Sequence, residues 1–391
     1  MDLDGIERRE SLGVDEFVRD FLEPNIPVVL GPSFTASWPA RHDWVAASGS
    51  PNYARLLELY SDAQVQVAEC DKVYFSDQQR TAMSFSEFVA KWRHAPEAKM
   101  YCKDWHFTRS NPAYKAYAPL AHLSDDWINM YYDSKPELND DYRFCYMGGD
   151  GTWTPFHEDV YRSYSWSANI CGRKRWIMVP PGQSHLFTDG LGNWVYNLLD
   201  YDKAKYPRLS ELKTLEIIQG PGETVFVPAG WWHQVLNIGD TISINHNWGN
   251  EFNLSAMYDR LQTDLANVRH ALRDVTDMDD FDDYVQMVLK ADSGTNHREF
   301  FGFIEAIADI YIKRAQNMPG AEPMDAFDPY FRSPKSMSNA MRRISATLQR
   351  MLEDPGTRSV GGLSGSVAQL LARLPAFDDA TASVVAGNKP I

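Results

Sequence analysis

The feature that most constrains the fold is a run of short strand-like segments between residues 142 and 248. In these segments apolar and polar residues alternate, or β-branched and aromatic residues cluster, as they do in strands. Turns rich in glycine and proline separate them. Many short strands joined by such turns predict a sandwich or barrel, such as a jelly roll. The segments include 142–147, 161–170, 174–179, 224–227, 231–238 and 241–248.

We predict that tight turns join two pairs of these segments. Cys171-Gly172-Arg173 stands between 161–170 and 174–179, and Gly239-Asp240 stands between 231–238 and 241–248. A glycine beside an aspartate between two strand-like runs is a hairpin signal. The second pair is therefore expected to form a β-hairpin.

The residues on either side of this region have a different character. Residues 1–100 mix short helical and strand-like patterns, and Ser84 with Glu87 three residues later forms a capping-box pattern at a helix start. After Asn250 apolar residues recur at helical spacing, beginning with a long helix that Asn253 can cap. The sequence thus predicts an α+β protein. Its parts are N-terminal α/β elements (1–100) packing on a jelly-roll core (101–250), a helical region (251–374) and a tail (375–391).

Charge and composition narrow the function classes. The chain has 391 residues and a net charge of −15. Because nucleic acids and anionic membranes attract basic surfaces, neither is predicted as a direct partner. The four cysteines form no metal-binding pair and are expected to be buried free thiols in a reducing compartment. With no apolar leader and no stretch of membrane-spanning length, the chain is expected in the cytoplasm, with the nucleus as a second compartment.

An H-x-D triplet within the strand region predicts a metal site. If the segment is extended, His157 and Asp159 point to the same face and can reach one ion. A distant histidine would complete a two-histidine, one-carboxylate set, which leaves open positions on Fe(II). His233 follows a Pro-Ala-Gly turn at the start of a later strand, and in a closed sheet that strand can return beside the first.

Lys174 supplies the charge that an anionic cosubstrate would need. It lies between Arg173 and Arg175 on a predicted strand. Because side chains alternate between the two faces of a strand, Lys174 points away from both arginines. An inward lysine would present a compact ammonium to a carboxylate.

Five segments of this region resemble the JmjC domain of the 2-oxoglutarate- and Fe(II)-dependent oxygenases. Their order and spacing match the small hydroxylase branch of that family, and within it the jumonji-domain-4 type. This resemblance implies a double-stranded β-helix, or cupin-like, core. The segments are WTPFHED at 153–159, SWSAN at 165–169, GRKRW at 172–176, PPG at 180–182 and VPAGWWHQVLN at 227–237.

The resemblance also implies roles for individual residues. His157, Asp159 and His233 would bind iron, while Glu158 between the first two would face away. Lys174 would pair with the distal carboxylate of 2-oxoglutarate.

Further residues match family positions around the cosubstrate. Thr154 and Tyr101 would hydrogen-bond the same distal carboxylate, and Asn247 would lie near the carboxylate on the metal side. Ser167 stands where many relatives have asparagine, and Asn169 is the alternative contact.

The implied function is O2-dependent hydroxylation of a protein side chain. The jumonji-domain-4 likeness points to a lysine C–H bond in a translation termination (release) factor. The apolar faces of the C-terminal helices would allow a homodimer. Three alternatives stay open: an N-methyl-lysine demethylase of histones, a non-catalytic interaction protein, and a different metal in the same barrel. The absence of a zinc-binding cysteine cluster argues against the first, and Lys174 argues against the last.

Overall fold

In a computed structural model of the chain, the described residues are 5–74, 77–277, 279–316 and 333–374. They divide into two compact units. The first, which we call the sheet unit, comprises the described part of 1–120 together with 142–159 and 164–247. The second, the helical unit, comprises 121–141, 160–163 and the described part of 248–391. The predicted tail at 375–391 lies outside the described residues.

Within the described residues, eleven strands form one mixed sheet. The strands are β1 Glu7–Arg9, β2 Val28–Leu30, β3 Gln64–Tyr74, β4 Asp77–Ser84, β5 Met100–Trp105, β6 Arg143–Gly148, β7 Trp153–His157, β8 Tyr164–Val179, β9 Leu215–Gln219, β10 Thr224–Val227 and β11 Trp232–Trp248. Their order is β1-β2-β10-β8-β11-β6-β5-β3-β4, with β7 paired to β11 and β9 paired to β8. Together with the helices, this large sheet confirms the predicted α+β class.

The predicted turn at Gly172 and the predicted hairpin at Gly239 are both wrong. Each glycine lies inside one continuous strand, β8 or β11, with φ of 71° and 75°. The strand partner changes there, from β10 to β9 along β8 and from β7 to β6 along β11. Glycine accepts this conformation without a steric cost, so the strand bends instead of ending. A Cβ on Gly172 would lie 2.3 Å from the carbonyl oxygen of Asp240, because β8 and β11 approach closely at the bend.

Apolar residues from β2, β8 and β10 form the core beside the candidate site. Val29, Trp176 and Val225 are buried there and pack with Trp231 and Val235. Burial of each such side chain contributes roughly 1.5–3 kcal/mol relative to exposure, so this cluster fixes the positions of the strands that carry polar residues. All four cysteines are buried and free, as expected.

Thirteen α-helices occur in the described residues. They are α1 Val14–Phe17, α2 Pro39–Asp43, α3 Tyr53–Tyr60, α4 Phe85–His94, α5 Phe107–Ser110, α6 Trp127–Asp133, α7 Ser184–Phe187, α8 Leu254–Ala271, α9 Phe281–Ser293, α10 His297–Gln316, α11 Pro334–Glu353, α12 Pro355–Arg358 and α13 Leu363–Arg373. The Oγ atom of Ser84 accepts the N–H of Glu87 at 3.2 Å, which confirms the predicted cap of α4. None of the described helices has the length and apolar character needed to cross a membrane.

The helical unit contains the long amphipathic helices that the periodicity predicted after residue 250. Asn253 is the residue before α8, but its side chain does not cap that helix. Its amide oxygen accepts the N–H of Asn250, and its NH2 group donates to the carbonyl of Arg162. The predicted cap is therefore wrong, since the asparagine orders the preceding turn and the 160–163 loop instead.

Candidate active site

Two strands bring the three predicted metal ligands together. His157 ends β7, and His233 lies opposite it in the register of β7 and β11. Asp159 follows two residues later, just beyond the end of β7. One ligand atom from each of these side chains lies within 4.8 Å of the other two. The expectation that a later strand returns beside the H-x-D segment is confirmed.

Backbone carbonyls orient both imidazole rings. Nδ1 of His157 lies 2.8 Å from the carbonyl oxygen of Pro155, and Nδ1 of His233 lies 3.0 Å from that of Trp231. Because a carbonyl only accepts, Nδ1 donates in both rings, which leaves a lone pair on Nε2 for a metal. Burial, followed by the nearby His233, lowers the pKa of His157 and favours its neutral form.

Two neutral donors hold the Asp159 carboxylate. The Ser165 hydroxyl donates to Oδ2 at 2.7 Å, and the Asn247 amide donates to Oδ1 at 2.9 Å. Among the described residues, no lysine or arginine forms an ion pair with Asp159. Asn247, which the family resemblance assigned to the cosubstrate, thus contacts the candidate metal ligand. The carboxylate is fixed in position, and its charge remains available to a cation.

Lys174 lies buried in the same cavity, with its Nζ atom 3.0 Å from the Tyr101 hydroxyl. Its exposed fraction is 3%, whereas Arg173 is exposed and Arg175 pairs with Glu216. The predicted inward lysine is therefore confirmed. Burial lowers the pKa of Lys174 to about 7. No carboxylate within the described ranges forms an ion pair with it. A buried ammonium without a counter-ion is costly, so an anionic group complements this position.

Of the other residues predicted to contact the cosubstrate, some line the cavity and one does not. Thr154 and Ser167 line the cavity, whose volume is about 60 Å³, and Asn245, which was not predicted, also lines it. The Ser167 hydroxyl is buried without a hydrogen-bond partner, as expected of a group that meets a bound molecule. The Asn169 amide instead donates to the carbonyl oxygens of Gly172 and Gly220, at 2.7 and 3.3 Å, and does not line the cavity. Of the two alternatives, Ser167 is the one positioned to contact a cosubstrate.

Ser165, Tyr146 and Trp176 also line the cavity and were not predicted as site residues from the sequence. Ser165 had a signal, since it stands two residues before Ser167 on one strand and so shares its face. Tyr146 had no such signal in the sequence, because its position in the cavity depends on the pairing of β6 with β5 and β11. Its hydroxyl donates to Asp104. The Arg80 guanidinium donates to the same carboxylate at 2.6 Å.

The donor set fits a metal ion beside a small anion. Two neutral imidazoles and one carboxylate are the ligands of a facial triad, which leaves the remaining positions of an octahedral ion open. An ammonium and two hydroxyl groups, from Lys174, Tyr101 and Ser167, lie in the same cavity without an anionic partner. The cavity therefore has the composition to bind a carboxylate-bearing molecule next to a divalent cation.

Comparison with known proteins agrees with this geometry. A family model described as a cupin-like domain matches residues 14–254. The 2-oxoglutarate and iron-dependent oxygenase JMJD4 of Gallus gallus is 40% identical over 327 residues, covering 81% of this chain and 76% of the relative. The chain belongs to the cupin-like JmjC family. The predicted cupin-like core and the resemblance to the jumonji-domain-4 type are thereby confirmed.

Other relatives in the cupin-like JmjC family align over a similar share of this chain, but their names describe different activities. JMJD4 of Homo sapiens is 40% identical over 322 residues, covering 78% of this chain and 76% of the relative. A protein of Arabidopsis thaliana named arginine-specific demethylase JMJ20 is 44% identical over 314 residues, covering 75% of this chain and 68% of the relative. Membership in the family therefore leaves the type of reaction on the protein substrate open.

Proposed function

We propose that this protein is an Fe(II)- and 2-oxoglutarate-dependent oxygenase. The observation that carries the proposal is one small cavity lined by His157, Asp159 and His233 and also by the buried ammonium of Lys174. A metal triad alone would suit several metalloenzymes, but the lysine adds a site for the far end of a dicarboxylate.

Each residue has a defined task in this proposal. His157, Asp159 and His233 would hold the iron, and the hydrogen bonds to their outer atoms keep them in position. Lys174 and Tyr101 would bind the distal carboxylate of 2-oxoglutarate. When both are bound, iron and 2-oxoglutarate would use O2 to oxidise a substrate C–H bond to C–OH. In the same reaction 2-oxoglutarate is converted to succinate and CO2. Trp166 and Trp176 line the site, and their aromatic rings would limit its contact with water.

The substrate that the family resemblance implies is a lysine side chain of a translation release factor. A basic substrate is compatible with the acidic chain, whose net charge is −15. A second candidate function is removal of N-methyl groups, supported by the name of the Arabidopsis relative. Both functions use the same oxidation, because hydroxylation of an N-methyl carbon releases formaldehyde.

The test is incubation of the purified protein with Fe(II), 2-oxoglutarate and O2, with and without a recombinant release factor. Substrate-dependent release of succinate, with one oxygen atom gained on a lysine, would support the first function. Formaldehyde release from methyl-arginine or methyl-lysine peptides would instead support the second. Absence of succinate under every condition, in protein that binds the metal, would refute the oxygenase proposal.

A further inference from the structure

A second cavity, larger than the candidate active site, lies wholly within the helical unit. Its volume is about 270 Å³, just below the roughly 300–1,000 Å³ of typical small-molecule sites. It is partly open to solvent. The size and shape suit a single side chain from another molecule.

Aromatic rings form much of the wall of this cavity. Tyr131 and Tyr132 come from α6, and Phe300 and Phe303 come from α10. The ring centroids of Tyr131 and Phe303 are 5.8 Å apart, with planes at 82°, and those of Tyr131 and Tyr132 are 5.2 Å apart, with planes at 76°. Two different helices thus contribute rings to the wall, and aromatic ring faces attract cations.

A strained residue contributes a fifth ring. Tyr161 has φ of 59°, which is a rare conformation for a bulky residue. Its hydroxyl donates to the carbonyl of Gly294 at 3.1 Å, and a Cβ on that glycine would lie 2.7 Å from the same hydroxyl. The structure thus holds this ring on the cavity despite the backbone strain, and such strain is common at binding sites.

The charges of the lining are net negative. Asp140 and Glu299 face the cavity together with one ammonium, that of Lys290. Lys290 pairs with Glu299 at 2.5 Å, and its side chain is 56% exposed, so the pair lies at the rim. Burial, then Glu299 and Glu137, raise the pKa of Tyr131, and Lys290 opposes this rise.

We propose that this cavity is a second binding site, which accepts the alkylammonium side chain of a lysine from a protein partner. The aromatic faces would contact the methylene stem and the ammonium, and the carboxylates would provide the complementary charge. This binding does not require the oxygenase chemistry proposed above, so the two can fail separately.

The test uses the methyl group of Met257, which lines the cavity, as a reporter. The full chain is labelled with 13C-methyl methionine, and the signal is assigned by Met257→Leu. It is titrated with Nα-acetyl-lysine N-methylamide and with the matched norleucine and arginine compounds. The lysine compound is expected to shift Met257 in a saturable manner, at concentrations where norleucine does not.

Three substitutions are expected to change the affinity for the lysine compound, and not all in the same direction. Phe303→Leu should weaken lysine binding about two- to fivefold, since it removes one cation–π contact. Glu299→Gln should also weaken it, whereas Lys290→Gln should strengthen it by removing the competing ammonium. Lys313→Gln, an exposed change on the same helix as Glu299, is the control and should have no effect.

Equal shifts of Met257 with lysine and norleucine would overturn the proposal, because the cavity would then be a simple apolar cleft. Tighter binding of arginine would overturn the assignment to lysine. If Phe303→Leu alters the fold, the opposite responses of the two surface variants still decide the question. Lysine binding that is unchanged in an Asp159→Ala variant would separate this site from the candidate metal centre.

Discussion

Both units of this protein hold carboxyl groups away from full exposure, half-buried in the sheet unit and buried in the helical unit, but the groups that surround them differ. In the sheet unit Asp159 accepts hydrogen bonds from Ser165 and Asn247, which are neutral and leave its charge available. In the helical unit Asp125 and Glu251 are both buried, close enough for one carboxyl group to donate a hydrogen bond to the other when it is protonated. The Tyr311 hydroxyl also donates to Asp125 at 3.2 Å.

The difference separates a binding group from a structural one. Two carboxyl groups that share a proton carry one charge less than two carboxylates, so that pair needs no cation. A single carboxylate that lies beside two unprotonated imidazole nitrogens lacks only a cation. Burial of acidic groups alone would therefore not identify the site, and the surrounding donors decide which cluster can bind a metal.

The largest effect is expected when a member of the candidate triad is removed. His157→Ala should abolish iron-dependent succinate release, since two ligands do not hold the metal in the required geometry. The measurement is turnover of 2-oxoglutarate, together with Fe(II) binding. His185→Ala, at an exposed histidine outside the triad, is the control and should retain activity. Wild-type turnover in His157→Ala would refute the assignment.

The next largest effect concerns the buried ammonium. Loss of one partner of a buried charge pair costs about 2–5 kcal/mol, so Lys174→Met should raise the KM for 2-oxoglutarate at least about thirtyfold. Lys213→Met, at an exposed lysine, should leave the KM unchanged.

Lys174 also predicts a pH dependence. Its pKa is about 7 in the free protein, and only the protonated form attracts a carboxylate. The KM for 2-oxoglutarate should therefore be constant below about pH 7 and rise up to about tenfold per pH unit above it. A KM that does not change between pH 6 and 9 would contradict this interpretation.

A smaller effect distinguishes two serines on β8. Ser165 holds Asp159, so Ser165→Ala should weaken metal binding about 10–100-fold, the usual range for a group that orients a metal ligand. Ser167 lines the cavity without contacting Asp159, so Ser167→Ala should weaken 2-oxoglutarate binding and spare the metal. Titrating the activity separately with Fe(II) and with 2-oxoglutarate measures the affinity for each. Equal effects of both variants on metal affinity would remove the distinction.

The sequence could predict what depends on local pattern and on recognisable motifs. The H-x-D segment, the inward Lys174 and the helices after residue 250 follow from the periods of strands and helices. The continuity of β8 and β11 could not be predicted, because a glycine that bends a strand has the same local signal as one in a hairpin. The role of Asn247 and the position of Tyr146 depend on contacts between distant strands. The shared burial of Asp125 and Glu251 depends on packing between segments 126 residues apart.

The smallest expected effect tests the acidic pair itself. Burial, and then Asp125, raise the pKa of Glu251 well above its usual range, and burial raises the pKa of Asp125 to about 6. Arg314 and Arg343 oppose these shifts without cancelling them. Folding therefore favours the protonated pair. The free energy of unfolding should be highest below about pH 4, the usual pKa of a carboxyl group, and fall as the pH rises through 6 and beyond.

Glu251→Gln keeps the shape of the side chain and removes one of the two titrations. This substitution should raise the free energy of unfolding more at pH 8 than at pH 5. The gain should be roughly 1 kcal/mol for each unit by which folding raises the pKa of Glu251. Glu353→Gln makes the same charge change at an exposed position of α11 and is the matched control. Thermal unfolding followed by circular dichroism at both pH values measures the difference. If Glu251→Gln and Glu353→Gln have the same pH dependence as the wild type, the pair does not share a proton, and the contrast with Asp159 no longer holds.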